Sequence, residues 1–282
     1  MKYASVILDF DGTVTKKGSK TPSEKMVKTI IETAKKMPIA FCTGREIASF
    51  KTHGVYEIVK GLPVKEKTEV LKNIYLLAEN GSLGYKFNSV KKDYEEFYRV
   101  SWPEKFIEKE KLMKIFAEKI SAYGEVINIH KIVLVIRAYH DENTYVDELY
   151  SRSKKIFNIC KRILQKLDKN YEKYLHIGDS GIGVILCLAD GDKNFAIKRF
   201  ADFLRKERKM KIGVKAREIL VIGDSAQKSG NDYYFLKGDF GTPYTVGYYQ
   251  SKNKLPKPVI DNKSKKRLLH EKGTCYLLEN NL

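Results

Sequence analysis

Short apolar runs of three to five residues, each ending at a polar cluster, punctuate this chain. Val6-Ile7-Leu8 stops at Asp9-Phe10-Asp11-Gly12-Thr13, and Ile39-Ala40-Phe41-Cys42 stops at Thr43-Gly44-Arg45. Ile74–Ala78 stops at Glu79-Asn80-Gly81-Ser82, and Ile219–Ile222 at Gly223-Asp224. Runs without alternation read as strands of a parallel sheet, buried on both faces. Between the first two lies a helical pattern, with Met26, Val27, Ile30, Ile31 and Ala34 on one stripe. Thr21 is its expected N-cap, Pro22 suits the first helical position, and Glu24 completes a capping box. Strand, helix, strand is a βαβ unit, whose crossover is right-handed. A second amphipathic helix follows Asp192, with Ala196, Ile197, Phe200, Phe203 and Leu204 on one face.

From about residue 88 to 185 the pattern changes to charged helices alternating with strand-like stretches such as Ile132–Ile136. The expected fold is therefore α/β: a doubly wound, parallel, Rossmann-like core with an inserted α+β domain. The core is expected over 1–88 and 186–282, and the insert, a substrate-selecting cap, over 89–185. The basic stretch Lys252–Arg267 reads as a loop, after which Leu268–Leu278 returns to the core.

Composition narrows the classes. The 282 residues are 43% hydrophobic and 31% charged, enough to bury a real core. No apolar run approaches the roughly 18–20 residues of a membrane span; Gly181–Ala189, among the longest, reads as a strand. The sequence goes straight into a strand pattern with no signal-peptide layout, so a cytoplasmic location and no membrane partner are expected. Cys42, Cys160, Cys187 and Cys275 lack CxxC or zinc spacing and read as buried thiols of a reducing compartment. The formal charge is +18. It suits an anionic substrate, but the lysines alternate with glutamates, as in Glu108-Lys109-Glu110-Lys111, which makes a solvated face rather than a nucleic-acid stripe. A small phosphorylated metabolite is thus the expected partner, with nucleic acid ranked behind it. The five histidines show no ligand spacing and read as surface or core residues.

In an open parallel sheet the carboxyl ends of the strands form the ligand crevice. The clusters at Asp9/Asp11, Thr43-Gly44 and Gly223-Asp224 should therefore converge. Two carboxylates two residues apart, at a strand end and in the turn after it, can take different roles, one attacking phosphorus while the other carries a proton to the leaving oxygen. A carboxylate facing a phosphate dianion needs the repulsion cancelled, which Mg²⁺ does. Asp224 is placed to supply a ligand. The Thr43 hydroxyl and Gly44 amide are placed to donate to phosphate oxygens, with a lysine to balance developing charge.

These residues resemble the motifs of the haloacid dehalogenase-like (HAD) hydrolases. Asp9-Phe10-Asp11-Gly12-Thr13, followed by Thr15, is similar to the first motif, DxDGT, and Thr43-Gly44-Arg45 to the second. Asp192-Lys193 resembles the third-motif lysine, and Gly223-Asp224 with Asn231-Asp232 the fourth. Glu79-Asn80-Gly81 is a turn common in the subgroup with its cap between motifs two and three, the Cof-type, sugar-phosphatase-like class IIB. The resemblance covers residues 1 to about 90 and about 185 to 250, and it implies a Mg²⁺-dependent phosphatase acting through an aspartyl-phosphate. By resemblance Asp9 is the nucleophile and Asp11 the acid/base, whose carbonyl also touches the metal. Thr43, Gly44, Arg45, Lys193 and Asn231 hold phosphate or substrate, and Asp9, Asp11, Asp224 and Asp232 form the metal site. Lys198, one turn beyond Lys193, is the alternative phosphate lysine. The interval Ser225–Asn231 between the acids of motif four is longer than in many members and resembles that of the eukaryotic phosphomannomutases. The expected activity is hydrolysis of a small phosphomonoester, a sugar phosphate or related metabolite. A phosphosugar mutase comes second, and a nucleic-acid-binding or polynucleotide-end-processing protein third.

Overall fold

The computed structural model describes residues 2–16, 19, 21–249 and 254–281. Its larger sheet has eight strands in the order β12-β11-β10-β1-β2-β3-β4-β5. These are β1 (Ser5–Leu8), β2 (Ile39–Cys42), β3 (Ile74–Ala78), β4 (Leu83–Asn88), β5 (Asp93–Arg99), β10 (Ile219–Gly223), β11 (Thr242–Thr245) and β12 (Lys257–Pro258). Helices α1 (Glu24–Ala34), α2 (Ile47–Phe50), α3 (Tyr56–Ile58), α4 (Val64–Lys72), α7 (Lys193–Glu207), α8 (Tyr233–Leu236) and α9 (His270–Asn281) connect or flank these strands. The smaller sheet, ordered β6-β7-β9-β8, is antiparallel. It comprises β6 (Gly124–Ile127), β7 (Leu134–Ala138), β8 (Leu175–Asp179) and β9 (Gly183–Leu188), with helices α5 (Lys109–Ile120) and α6 (Val146–Leu167).

The alternation of each apolar run explains the layering. Val6, Leu8, Phe41, Leu76 and Ile222 share a core with Met26 and Ile30 of α1, Val70 of α4 and Leu277 of α9. Ile7, Ala40, Cys42, Tyr75, Leu77 and Val221 face the other way, onto Ala196, Ile197, Phe200 and Leu204 of α7. Successive side chains of a strand point to opposite faces, so a run apolar throughout must be covered on both. In the smaller sheet, Leu134, Ile136, Val184 and Leu186 pack with Phe116 of α5 and Ile156 of α6. Its other face carries Val133, Ile185 and Cys187, a separate small cluster.

Strand β1 pairs in parallel with β10 on one side and β2 on the other. The chain leaves β1 toward β2 and β3, and later returns to its other side. Strand order therefore reverses at β1, the place where an open α/β sheet binds ligands.

The expected α/β core is present, its parallel strands extended at one edge by a hairpin in which β4 runs antiparallel to β3 and β5 to β4. Three local expectations need correction. The β4–β5 hairpin belongs to the large sheet although β5 lies beyond residue 88: Asn88 and Asp93 are paired around a tight turn, and the run of lysines there hid the strand. The N-cap of α1 is Ser23, not Thr21; the Ser23 hydroxyl accepts from Met26 N–H, and its own N–H donates to Glu271 at 2.7 Å. The strand expected over Ile132–Ile136 begins two residues later, because the amides of Ile132 and Val133 are engaged by Glu79. Lys252 and Asn253 of the expected basic loop lie outside the described residues. Among the described residues no helix is long and apolar enough to cross a membrane.

Candidate active site

The adjacent parallel strands β10, β1 and β2 deliver Asp224, Asp9 and Thr43 to one edge of the sheet. Gly12 has φ +82°, and a Cβ there would lie 2.5 Å from Asp224 Oδ2. Only glycine lets the turn after Asp11 pass so close to that carboxylate. The turn is held from behind by α9: the Thr274 hydroxyl donates to Thr13 O at 2.8 Å, and His270 Nδ1 donates to Gly12 O at 2.7 Å.

Lys193 opens α7. The Asp192 carboxylate caps that helix through Asn194 N–H and Phe195 N–H at 2.9 and 3.0 Å. The Lys193 side chain then runs into the crevice, where its Nζ lies 2.6 Å from Asp9 Oδ1 and 2.7 Å from Asp232 Oδ1. All three residues are almost sealed, with exposures of 1% for Lys193, 5% for Asp9 and 1% for Asp232. Lys198, the alternative lysine, is exposed. Asp232 sits at the N-terminus of α8 but does not cap it; its Oδ2 instead accepts from the amides of Asp224 and Ser225, both at 3.1 Å. The long interval after Asp224 thus folds back and returns Asp232 to the first acid.

Asp9, Asp224 and Asp232 each offer an oxygen within 4.8 Å of the others. Burial first, then the charge of Asp232, pushes the Asp9 carboxyl well above the usual carboxylate range, and Lys193 only partly opposes this. Burial disfavours charge on Lys193 as well, but Asp232 and Asp9 outweigh it and hold its ammonium well above the ordinary lysine value. With all three carboxylates ionised, one ammonium leaves two negative charges uncompensated, which a divalent cation would balance. This oxygen-only donor set is the kind Mg²⁺ takes. Cys42 is no rival nucleophile: burial, against the pull of Lys193, pushes its thiol far above the ordinary range.

The remaining expected residues surround this centre. Thr43 is buried; its hydroxyl accepts from Arg45 N–H at 3.2 Å, and its carbonyl accepts from Asn80 N–H at 2.7 Å. Arg45 turns away from the cluster and grips Asp11 with Nε and Nη2 at 3.1 and 2.5 Å, its guanidinium 4.9 Å from the Phe10 ring centre. Asp11 is thereby directed outward, apart from the three clustered carboxylates. Gly44 lies under the small sheet: a Cβ there would meet Ile185 Cδ1 at 2.5 Å. Asn231 pairs with Asn80, whose Nδ2 donates to Asn231 Oδ1 at 2.8 Å.

Sequence reasoning missed the groups that hold the small sheet over this crevice. The Glu79 carboxylate, on a residue 1% exposed, accepts from the amides of Lys131, Ile132 and Val133 at 2.9, 2.7 and 3.1 Å. Asp179 N–H donates to Ser229 O at 2.7 Å. His176 Nδ1 meets Asp192 Oδ2 at 2.8 Å while its ring stacks on Tyr234. Glu79 stood within a noted turn, but nothing in that turn signals what its carboxylate binds.

A mixed α/β sheet with a separate antiparallel sheet beside it is also the fold of several solved structures. N-terminally truncated IMP-nucleotidase of Plasmodium falciparum matches with a TM-score of 0.63 at 15% identity, over 98% of this chain and 69% of that one. A haloacid dehalogenase-like hydrolase from Bacteroides thetaiotaomicron matches at 0.57 and 15%, over 99% and 100%. A trehalose-6-phosphate phosphatase of Aspergillus fumigatus matches at 0.52 and 14%, over 99% and 94%. The chain shares the fold of these proteins. No family model and no curated protein matches the sequence.

Proposed function

We propose that this protein is a Mg²⁺-dependent phosphomonoester hydrolase that works through Asp9. The observation that carries the reading is the sealed Asp9–Lys193–Asp232 chain beside Asp224, at the strand end where the topology reverses. The likeness in fold to two phosphatases and a HAD-like hydrolase supports it. Asp9, Asp224 and Asp232 would hold the metal, which when bound screens the phosphate from the carboxylates and draws charge from the transferring group.

The other steps belong to the chain. An Asp9 oxygen attacks phosphorus, and the bond to the leaving oxygen breaks as Asp11 delivers a proton to it. Asp11 then takes a proton from water, whose oxygen attacks the same phosphorus and restores the Asp9 carboxylate. For either role Asp11 must leave Arg45, and an incoming phosphate is a natural competitor for that guanidinium. Thr43, Gly44 and Lys193 offer donors to the phosphoryl oxygens, and Asn231 is in reach of the same space. The cap is the segment bearing β6 to β9; the pairing of β5 with β4 supports starting it nearer residue 100 than 89. Its closure shields the phosphorylated aspartate from stray nucleophiles.

For the substrate, a small phosphorylated metabolite is favoured over nucleic acid, because the crevice is roofed. The sequence-based choice of a sugar phosphate has beside it a likeness to a trehalose-6-phosphate phosphatase, but a likeness to an IMP-nucleotidase stands next to it. The test is phosphate release from p-nitrophenyl phosphate by native protein and Asp9→Asn, in Mg²⁺ and in EDTA. Turnover that requires Mg²⁺ and is lost in the variant is expected. Equal rates in native protein and variant would remove Asp9 from the chemistry. Conversion of hexose 1-phosphate to 6-phosphate with a bisphosphate activator would instead establish a mutase. Salt-sensitive binding to oligonucleotides near physiological ionic strength would favour the nucleic-acid reading.

A further inference from the structure

The first turn of α9 binds the main chain of three other segments. His270 Nδ1 donates to Gly12 O at 2.7 Å, and the His270 N–H donates to Val246 O at 2.8 Å. The Thr274 hydroxyl donates to Thr13 O at 2.8 Å, and the Glu271 carboxylate accepts from Ser23 N–H at 2.7 Å. His270 makes its two bonds with φ +48°, in the left-handed region that residues with a Cβ seldom occupy. A backbone of this kind persists only where its surroundings enforce it.

Both His270 bonds lead to Asp224. Val246 follows β11, whose end lies beside that of β10 at the crevice edge. The next residue, Gly247, packs so closely there that a Cβ would lie 1.7 Å from Asp224 O. Arg267 fixes this loop, its Nη2 donating to Gly247 O at 2.6 Å and to Tyr249 O at 2.7 Å. Gly12 in turn packs on the Asp224 carboxylate, where a Cβ would lie 2.5 Å from Oδ2. His270 is bonded to both segments, to the turn through its ring and to the loop through its backbone. Gly12 is buried, so its carbonyl would lose the imidazole donor with no water to replace it.

We propose that His270 is a positioning residue for the metal site. Through the Gly12 carbonyl it fixes the turn that follows Asp9 and Asp11 against the loop that backs Asp224. This rests on the phosphatase reading above and adds to it a residue that acts through the main chain. The requirement is for a single donor. A carbonyl only accepts, so Nδ1 carries the proton whatever the charge of the ring. An asparagine amide nitrogen stands as many bonds from Cα as Nδ1 does, and asparagine also tolerates the left-handed backbone. Glycine accepts that backbone and supplies no donor. His270→Asn and His270→Gly therefore separate the hydrogen bond from the backbone strain.

The experiment compares native protein with both variants in three measurements. These are the melting temperature in EDTA, Mg²⁺ binding to metal-free protein by calorimetry, and kcat and KM for p-nitrophenyl phosphate at saturating Mg²⁺. In His270→Gly, Mg²⁺ should bind about tenfold more weakly, the size of one lost hydrogen bond. Its kcat should fall by about tenfold to a hundredfold with KM little changed, as misplaced reacting groups produce. His270→Asn should recover most of both. A His270→Gly variant that melts lower yet keeps native Mg²⁺ affinity and kcat would overturn the proposal, since His270 would then support the fold alone. So would a His270→Asn variant no better than His270→Gly, because the donor would not be what matters. Native protein that binds Mg²⁺ but releases phosphate from no phosphomonoester would sink the phosphatase reading. The Mg²⁺ defect of His270→Gly and its rescue by His270→Asn would in that case still uphold the positioning role. Native protein that binds no Mg²⁺ would sink both.

Discussion

Replacing Lys193 by Met tests the electrostatic core of the site. The substitution keeps an unbranched side chain of similar reach and removes only the ammonium, which lies 2.6 and 2.7 Å from two carboxylates. With side-chain exposures of 2% for Lys193, 7% for Asp9 and 1% for Asp232, water cannot take its place. Breaking a buried ion pair by removing one partner costs about 3–5 kcal/mol, because the remaining charge is left unpaired. At about 2–4 °C per kcal/mol for a chain of this size, the melting temperature in EDTA at pH 7.5 should fall by roughly 10 °C.

The loss should also depend on pH. Orphaned carboxylates escape part of the penalty by taking up a proton, and Asp9 is already pushed toward the neutral form by burial and by the charge of Asp232. The variant should therefore lie closer to native at pH 5 than at pH 7.5, and Mg²⁺ should restore more stability to it than to native protein. Thermal unfolding at two pH values with and without Mg²⁺, alongside phosphate release, is the assay. Release should drop by about 10²–10³ with the phosphate's counter-charge gone. A variant that melts with the native protein in EDTA at both pH values would refute the reasoning, since the carboxylates would then not depend on Lys193 for compensation.

Other outcomes follow from the same geometry. In EDTA at neutral pH, Asp9→Asn should melt above the native protein. Burial and Asp232 raise the folded pKa of Asp9, so stability is lost as pH rises from the unfolded value toward the folded one, and a neutral amide escapes that loss; saturating Mg²⁺ should close the gap. Glu79→Gln removes the charge that gathers three roof amides, where hydrogen bonds to a charged group are worth about 1.5–3 kcal/mol. The variant should shift toward an open roof by about tenfold or more, read as faster proteolysis between the two sheets and a larger radius of gyration. Gly12→Ala forces a positive φ costing about 1–2 kcal/mol and pushes on Asp224, so activity should fall far more than the melting temperature. Equal loss of both would mean that the turn only supports the fold.

The sheet and the convergence of its strand ends were legible because each depends on periodicity that the chain carries locally. A run such as Ile39–Cys42 must be covered on two sides, and it stops where polar residues begin. Lys193 could be named but not separated from Lys198 until α7 was fixed in space: Asp192 caps the helix, and the first-turn lysine alone then runs back into the crevice. The lengthened interval before Asp232 was an anomaly in sequence and is ordinary in space, because the fold-back lets one carboxylate take the two amides of Asp224 and Ser225.

What stayed hidden shares one physical cause. Glu79 binds backbone amides more than fifty residues away, His270 donates to the Gly12 carbonyl across most of the chain, and Thr274 reaches Thr13 in the same way. Backbone groups are chemically alike at every position, so a side chain that seeks one leaves no complementary residue to find in the sequence. Such contacts are also the ones that fix how the roof and α9 bear on the nucleophile turn. The chemistry of this site is therefore written in residue types, whereas its closure depends on the path of the main chain. Substitutions at Glu79 and His270 should accordingly act on closure and on the placing of Asp9, and leave the kind of bond broken unchanged.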